Sequence, residues 1–313
     1  MWIRFLGGSE THVLCSHPFI GIRGSYTEQQ LWELYVKFGA SPGSLALYAS
    51  APDTYESLVT RQIMGARSDD LRCASCDPEA PFHHIFVTWP LPDRRDISQQ
   101  TIVSRYVFEL LWENHLQHQM SDVEYFYYKF LDSPATADLA GWIFESRVHQ
   151  LLRKQQIIQV FPITQDGPRP KKVTPKDRSG RKLMEFQLPK SNERPFVKGE
   201  PPEDGYYRLE FATNHPAVDS LLVFHSNRKS PPTFLLFRII RNTREHIISK
   251  DTLDSIKELG LPNGAHKFYV VVTPEGVKPE IKVPKADPSK GGQSGEFPVF
   301  NYPVPTNVLF SRN

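Results

Sequence analysis

A chain of 313 residues has room for about two domains at roughly 150 residues each, and its 39% hydrophobic, 12% aromatic and 23% charged residues match ordinary soluble globular usage. No stretch approaches the ~18 consecutive apolar residues of a membrane span, and the three cysteines, Cys15, Cys73 and Cys76, exclude a disulfide framework and suit a reducing compartment. A net charge of only +2 confines any nucleic-acid affinity to local patches. The start "MWIRFLGGSETH" shows no apolar core followed by a small-residue cleavage site, so an intracellular address, cytoplasm or nucleus, is expected.

In chain order, Thr27 with Gln30 forms a capping-box pair opening a helix over "TEQQLWELYVKFG", which Gly39 ends. Asp53 with Glu56 opens another over "DTYESLVTRQIMG", to Gly65. Two strand-like runs, "GSLALYAS" and "HHIFVTWPL", interrupt this helical half. Residues 101–119 place Val103, Val107, Leu110 and Leu111 at helical spacing, predicting one helix, and Ser121 with Glu124 opens the next, "SDVEYFYYKFLD". Ser133 and Pro134 then start "PATADLAGWIFESRVHQLLRK". From residue 155 the runs are β-rich: "IIQVFPI", "KLMEFQL", "YYRLEFA", "SLLVFH", "FLLFRII" and "KFYVVVT", with the helical "DTLDSIKELG" between the last two. Beyond residue 274 the Pro-rich sequence reads as irregular or edge structure. The order predicts an α/β (α+β) class: a mostly helical region, 1–132, and a mixed sheet flanked by helices, 133–313.

Several clusters carry chemistry. No G-x-x-x-x-G-K-[ST] phosphate loop occurs, so nucleotide hydrolysis is not expected. Cys73 and Cys76, followed by His83 and His84, offer two thiolates and two imidazoles, but the spacing is shorter than a zinc finger's and a polar loop is the simpler reading. Residues 169–182 gather Lys171, Lys172, Arg178 and Arg181 with other cations around one acid, as a phosphate-contacting run or a solvated loop. Glu145 and His149 share a helix face beside the stripe of Phe144, Val148 and Leu151, either as an exposed i,i+4 pair or as site residues. Asp219 stands against the apolar run Ser220–Phe224, as turn chemistry or as a carboxylate aimed into a site. Arg238 is embedded in the apolar strand "FLLFRIIRN", where a charge has to be paired or point into a site.

A helix Glu, a strand Asp and a polar strand position in this order resemble the restriction-endonuclease-like, PD-(D/E)XK nuclease superfamily. In wording, "AGWIFESRVHQLL", "NHPAVDSLLVF", "FLLFRIIRN" and "GLPNGAHKFYVVVTPEGVKPEIKVP" are similar to the C-terminal domain of fungal Crinkler/RHS-type proteins, over about residue 133 to the end. "LWELYVKFGASP" and "SRYVFELLWENHLQHQ" resemble the part that links an upstream P-loop ATPase to that domain in full-length members, and the ATPase itself is missing here. The resemblance implies a Mg²⁺-dependent phosphodiester hydrolase. Glu145 and Asp219 would be the metal ligands, with a backbone carbonyl near Arg238 as a third, and His149 or His246 the proton carrier. Arg238 and Arg241 would steady phosphate and Lys171, Lys172, Arg178 and Arg181 would bind nucleic acid. Where the family shows Gln-x-Thr, this chain has Arg238-Ile239-Ile240. A guanidinium cannot ligate a metal or act as a base, but it can pair with Asp219 or grip a phosphate. The readings left open are therefore a nuclease, a catalytically inactive nucleic-acid or protein binding module, and a decayed fragment of a larger ATPase–nuclease.

Overall fold

The computed structural model describes residues 28–39, 51–74, 82, 84–90, 98–132, 136–163, 184–197, 200, 202–209, 217–225, 230–240, 246–247, 255–262, 264–277, 281–282 and 298–311. The chain divides into two compact units, Met1–Trp142 and Ile143–Ser311. The division falls inside a helix, whereas the sequence places a boundary ahead of that helix, near residue 132. Among the described residues no helix is long and apolar enough to cross a membrane.

In the first unit, helices α1 (Glu28–Phe38), α2 (Pro52–Gly65) and α3 (Ser68–Ala74) precede a hairpin, β1 (Phe86–Pro90) and β2 (Ser98–Ile102). Helices α4 (Arg105–Asn114), α5 (Met120–Leu131) and the start of α6 (Ala137–Leu152) follow. Its core is aromatic, with Phe38, Tyr55, Phe108, Phe126 and Phe130 all buried and Phe38 edge-on to Tyr55 at 4.9 Å. Gly39 ends α1 at φ 74°, and a Cβ there would stand 2.7 Å from the carbonyl oxygen of Val103, so the turn admits only glycine. The expected single helix over 101–119 is corrected. Thr101 and Ile102 belong to β2, Ser104 caps α4 by accepting from the Val107 amide at 3.1 Å, and α4 stops at Asn114. β-branched residues pair well across a hairpin, and a serine side chain competes with helical backbone bonds and so starts a helix instead of sitting within one. Two expected caps move as well. Ala51 is the N-cap of α2 with Pro52 in its first turn, and Gln119 is that of α5, so Asp53 and Ser121 lie inside their helices.

The second unit carries β3 (Gln156–Pro162), β4 (Met184–Leu188), β5 (Glu193–Arg194), β6 (Gly205–Arg208), β7 (Ser220–Phe224) and β8 (Thr233–Ile239). There follow β9 (His246–Ile247), β10 (His266–Pro274), β11 (Ile281–Lys282), β12 (Val299–Val304) and a single turn, α7 (Thr306–Leu309). Among the described residues, eight strands form one mixed sheet in the order β4-β3-β12-β10-β8-β7-β6-β5, while β9 and β11 pair separately. Strands β8, β10 and β12 are parallel, and the β-rich runs expected from the sequence supply all of the sheet except β5 and β12. Placing β12 in mid-sheet departs from the expectation that the sequence from 274 is mostly irregular or edge structure. Proline normally disqualifies a central strand because it lacks an N–H. Here the carbonyls of Pro298 and Val304 bond toward β10 and that of Val299 toward Ile163, so alternate residues serve the two neighbours. The missing amide of Pro303 falls on the β3 side, beyond the pairing of Phe300 and Asn301 with β3.

Pleating sorts the sheet into two faces. Tyr207, Leu221, Val223, Phe234, Leu236, Tyr269 and Val271 join Ile256 and Leu259 in one buried cluster. The opposite face carries the register row Tyr206, Leu222, Leu235 and Phe268, and further along it Phe300 and Phe186. Phe186 of β4 meets Phe268 of β10 at 5.0 Å between ring centroids, although two strands separate β4 from β10. A flat sheet would hold those strands about 14 Å apart, at ~4.8 Å per strand. The sheet is therefore curled toward this face.

Candidate functional site

Helix α6 lies against the curled-in face. Ile143 through His149 are seven successive buried residues, so this stretch is enclosed on every side, and its polar members need partners there. Arg147 donates from Nε to the Leu309 carbonyl at 2.8 Å and from Nη1 to Gln150 at 2.5 Å, and burial pulls its pKa below the usual arginine value. Glu145, 1% exposed, has Oε1 3.7 Å from Nε2 of His149, and His149 Nδ1 is 2.5 Å from the Tyr206 hydroxyl. Burial raises the Tyr206 pKa well above that of a free phenol, and Ser220 adjoins it on the neighbouring strand. The two residues, open in the sequence as an exposed i,i+4 pair or as site residues, are buried between helix and sheet, with His149 at hydrogen-bond distance from the Tyr206 phenol and the Glu145 carboxylate beside its other ring nitrogen but beyond hydrogen-bond reach.

Asp219 and Arg238 meet elsewhere. Arg238 alternates with Phe234, Leu236 and Ile240 and so belongs to the face opposite Tyr206. Its Nη1 donates to Asp219 Oδ1 at 2.7 Å, and the Ile239 amide donates to Asp219 Oδ2 at 2.6 Å. The carboxylate takes the place of a backbone acceptor at the end of β8 while the main chain of Asp219 continues the ladder, its N–H donating to Phe237 at 2.9 Å and its carbonyl accepting from Leu209 at 3.0 Å. Both side chains are mostly covered, at 15% exposure for Asp219 and 26% for Arg238. Beside them the buried Tyr269 donates to the Ala217 carbonyl at 2.6 Å.

The carboxylates expected to share a metal therefore have their partners on opposite faces of the sheet: Glu145 with His149 toward Tyr206, Asp219 with Arg238. Among the described residues no three His, Cys, Asp or Glu side chains converge as a ligand set. The Asp219 site as arranged does not suit Mg²⁺. A divalent ion on that carboxylate would stand next to a guanidinium already at bonding distance, cation against cation. His246 is placed by its backbone in β9, paired with Ile281 of β11. Lys171, Lys172, Arg178, Arg181 and Arg241 lie outside the described residues, as do Cys76 and His83. Cys73 falls in the last turn of α3, and His84 Nδ1 is 3.2 Å from the Tyr55 hydroxyl.

Sequence reasoning missed Tyr206 as the partner of His149. The signal was present in "GYYRLEF", where two adjacent tyrosines on a strand must point to opposite faces and one of them has to find a polar partner in the interior. Compared with protein-family models, curated proteins and solved structures, the chain matches none.

Proposed function

We propose that this chain is an intracellular nucleic-acid-binding module built on a restriction-endonuclease-like sheet, of Crinkler/RHS type, that has given up metal-dependent cleavage. The observation that carries the reading is the Arg238–Asp219 pair at 2.7 Å, with the second carboxylate oxygen held by the Ile239 amide. An arginine, which has no lone pair to offer a metal, occupies the position where the resemblance expects a metal-compatible side chain, and it is bonded to the carboxylate that would hold the ion. Binding of nucleic acid is supported by the resemblance and by the cationic run 169–182.

The test pairs fluorescence anisotropy on labelled single- and double-stranded DNA and RNA with a cleavage assay in Mg²⁺ or Mn²⁺. The unmodified chain should bind and leave the strands intact. Arg238→Gln with Ile240→Thr removes the competing cation and returns an oxygen ligand to the strand, so weak Mn²⁺ or Mg²⁺ binding should appear by calorimetry and Asp219→Asn should abolish it, while cleavage stays absent because Glu145 faces the other side of the sheet. Cleavage by the unmodified chain in Mg²⁺, lost on Arg238→Gln, would make Arg238 a phosphate-gripping group of an active nuclease. No binding of any strand at low salt would sink the nucleic-acid reading itself.

A further inference from the structure

Curling the sheet opens a cleft of about 970 Å³ in the second unit, at the end where β7 finishes and β8 and β10 begin. All five residues of β4 line it, together with the start of β6 and the turn between β4 and β5. Phe186, Phe224 and Phe268 supply its apolar lining; Asn192, Thr233 and His225 supply polar groups, and His225 Nδ1 is 2.7 Å from Asp204 Oδ1. The volume is at the upper end of the ~300–1,000 Å³ range of small-molecule sites, which combine an apolar lining with a few converging polar groups.

We propose that this cleft receives a single unpaired nucleobase, an inference that rests on the nucleic-acid reading above. Three features select that chemistry. Phe268, half-buried and packed edge-on to Phe186, offers the aromatic surface on which any base can stack. Asn192 is an amide, with both a donor and an acceptor, as the edge of a base requires. Among the described residues β4 is also the end strand of the sheet, so no described strand uses one row of its backbone N–H and C=O groups. Charge decides against a phosphate or a carboxylate as the main determinant. The acids Glu185 and Asp204 line the cleft along with the cations Lys190 and Arg194, and Arg194 is already bonded to Glu203 at 2.5 Å. A neutral, planar group with mixed donors and acceptors fits this balance.

The experiment uses single-stranded oligonucleotides with one 2-aminopurine, whose fluorescence reports transfer from the stack into a protein site, alongside anisotropy of an end label and titration with free adenosine. The full chain should change the 2-aminopurine signal saturably. Phe268→Leu should weaken that response roughly 5- to 100-fold, the range for loss of one base–aromatic stack, and Asn192→Ala roughly 2- to 10-fold, as for one hydrogen bond. Asn192 is exposed, so its variant keeps the test decisive if Phe268→Leu melts early. Oligonucleotide binding by anisotropy with a silent 2-aminopurine, or a response that neither variant moves, overturns the cleft assignment and leaves the nucleic-acid reading standing. Saturable adenosine binding that both variants weaken, without binding of any strand, keeps the cleft and overturns the nucleic-acid reading.

Discussion

Replacing Arg238 with Met retains most of the apolar stem and removes the cation from Asp219. Breaking a fully buried ion pair by deleting one partner costs about 3–5 kcal/mol, whereas exposed pairs contribute about 0–1 kcal/mol. At 15% and 26% exposure the pair lies between these limits, nearer the buried one. Asp219 would still accept from the Ile239 amide, so Arg238→Met is expected to destabilise by about 1.5–3 kcal/mol. Asp219→Ala removes the acceptor for the guanidinium and for that amide together, and an interior amide left unbonded adds ~1–3 kcal/mol. Its expected cost is therefore larger, about 2–4 kcal/mol. In a double-mutant cycle read by urea denaturation with m unchanged, the two substitutions should couple by about 1–2 kcal/mol. A cost below ~0.5 kcal/mol for Arg238→Met, together with additivity, would show that the pair holds nothing at the end of β8, and that the arginine is available to a ligand.

Three further outcomes are expected. His149→Leu leaves the buried Tyr206 hydroxyl without its imidazole and should destabilise by about 2–4 kcal/mol in urea melts, against a near-neutral effect had the Glu145–His149 pair been exposed. The Tyr206 pKa is raised above the ordinary 10.0 in the folded chain, so the folded state holds its proton where the unfolded chain releases it. That contribution is complete below pH 10.0 and declines as pH rises further, and Tyr206→Phe should flatten the alkaline fall in melting temperature. Changing Lys171, Lys172, Arg178 and Arg181 together to Ala should lower the slope of log affinity against log salt by about 3 if these residues contact phosphates, and an unchanged slope would return the run to a solvated loop.

The strand runs at β3, β4, β6, β7, β8 and β10 were legible because a strand buried in a mixed sheet reads as a short, nearly continuous apolar segment, whatever its neighbours are. Arg238 was legible as an anomaly for the same reason, since a guanidinium inside "FLLFRII" must be paired, and its pairing with Asp219 is what the strand register then supplies. Other features depended on neighbours distant in the chain. β12 carries a proline that local rules assign to an edge, and only the one-sided pairing beyond Asn301 makes that position harmless in mid-sheet. Thr101 and Ile102 fit a helical period, but pairing with β1 and the serine cap at 104 draw them into a strand. Glu145 and His149 are four residues apart in any helix. Whether they face water or a buried phenol was decided by a sheet that curls around α6, and that curl also brings β4 and β6 to the rim of one cleft. Sequence periodicity specifies which residues share a face, because it is local backbone geometry. Which face is enclosed, and what meets across it, depends on contacts between residues far apart along the chain.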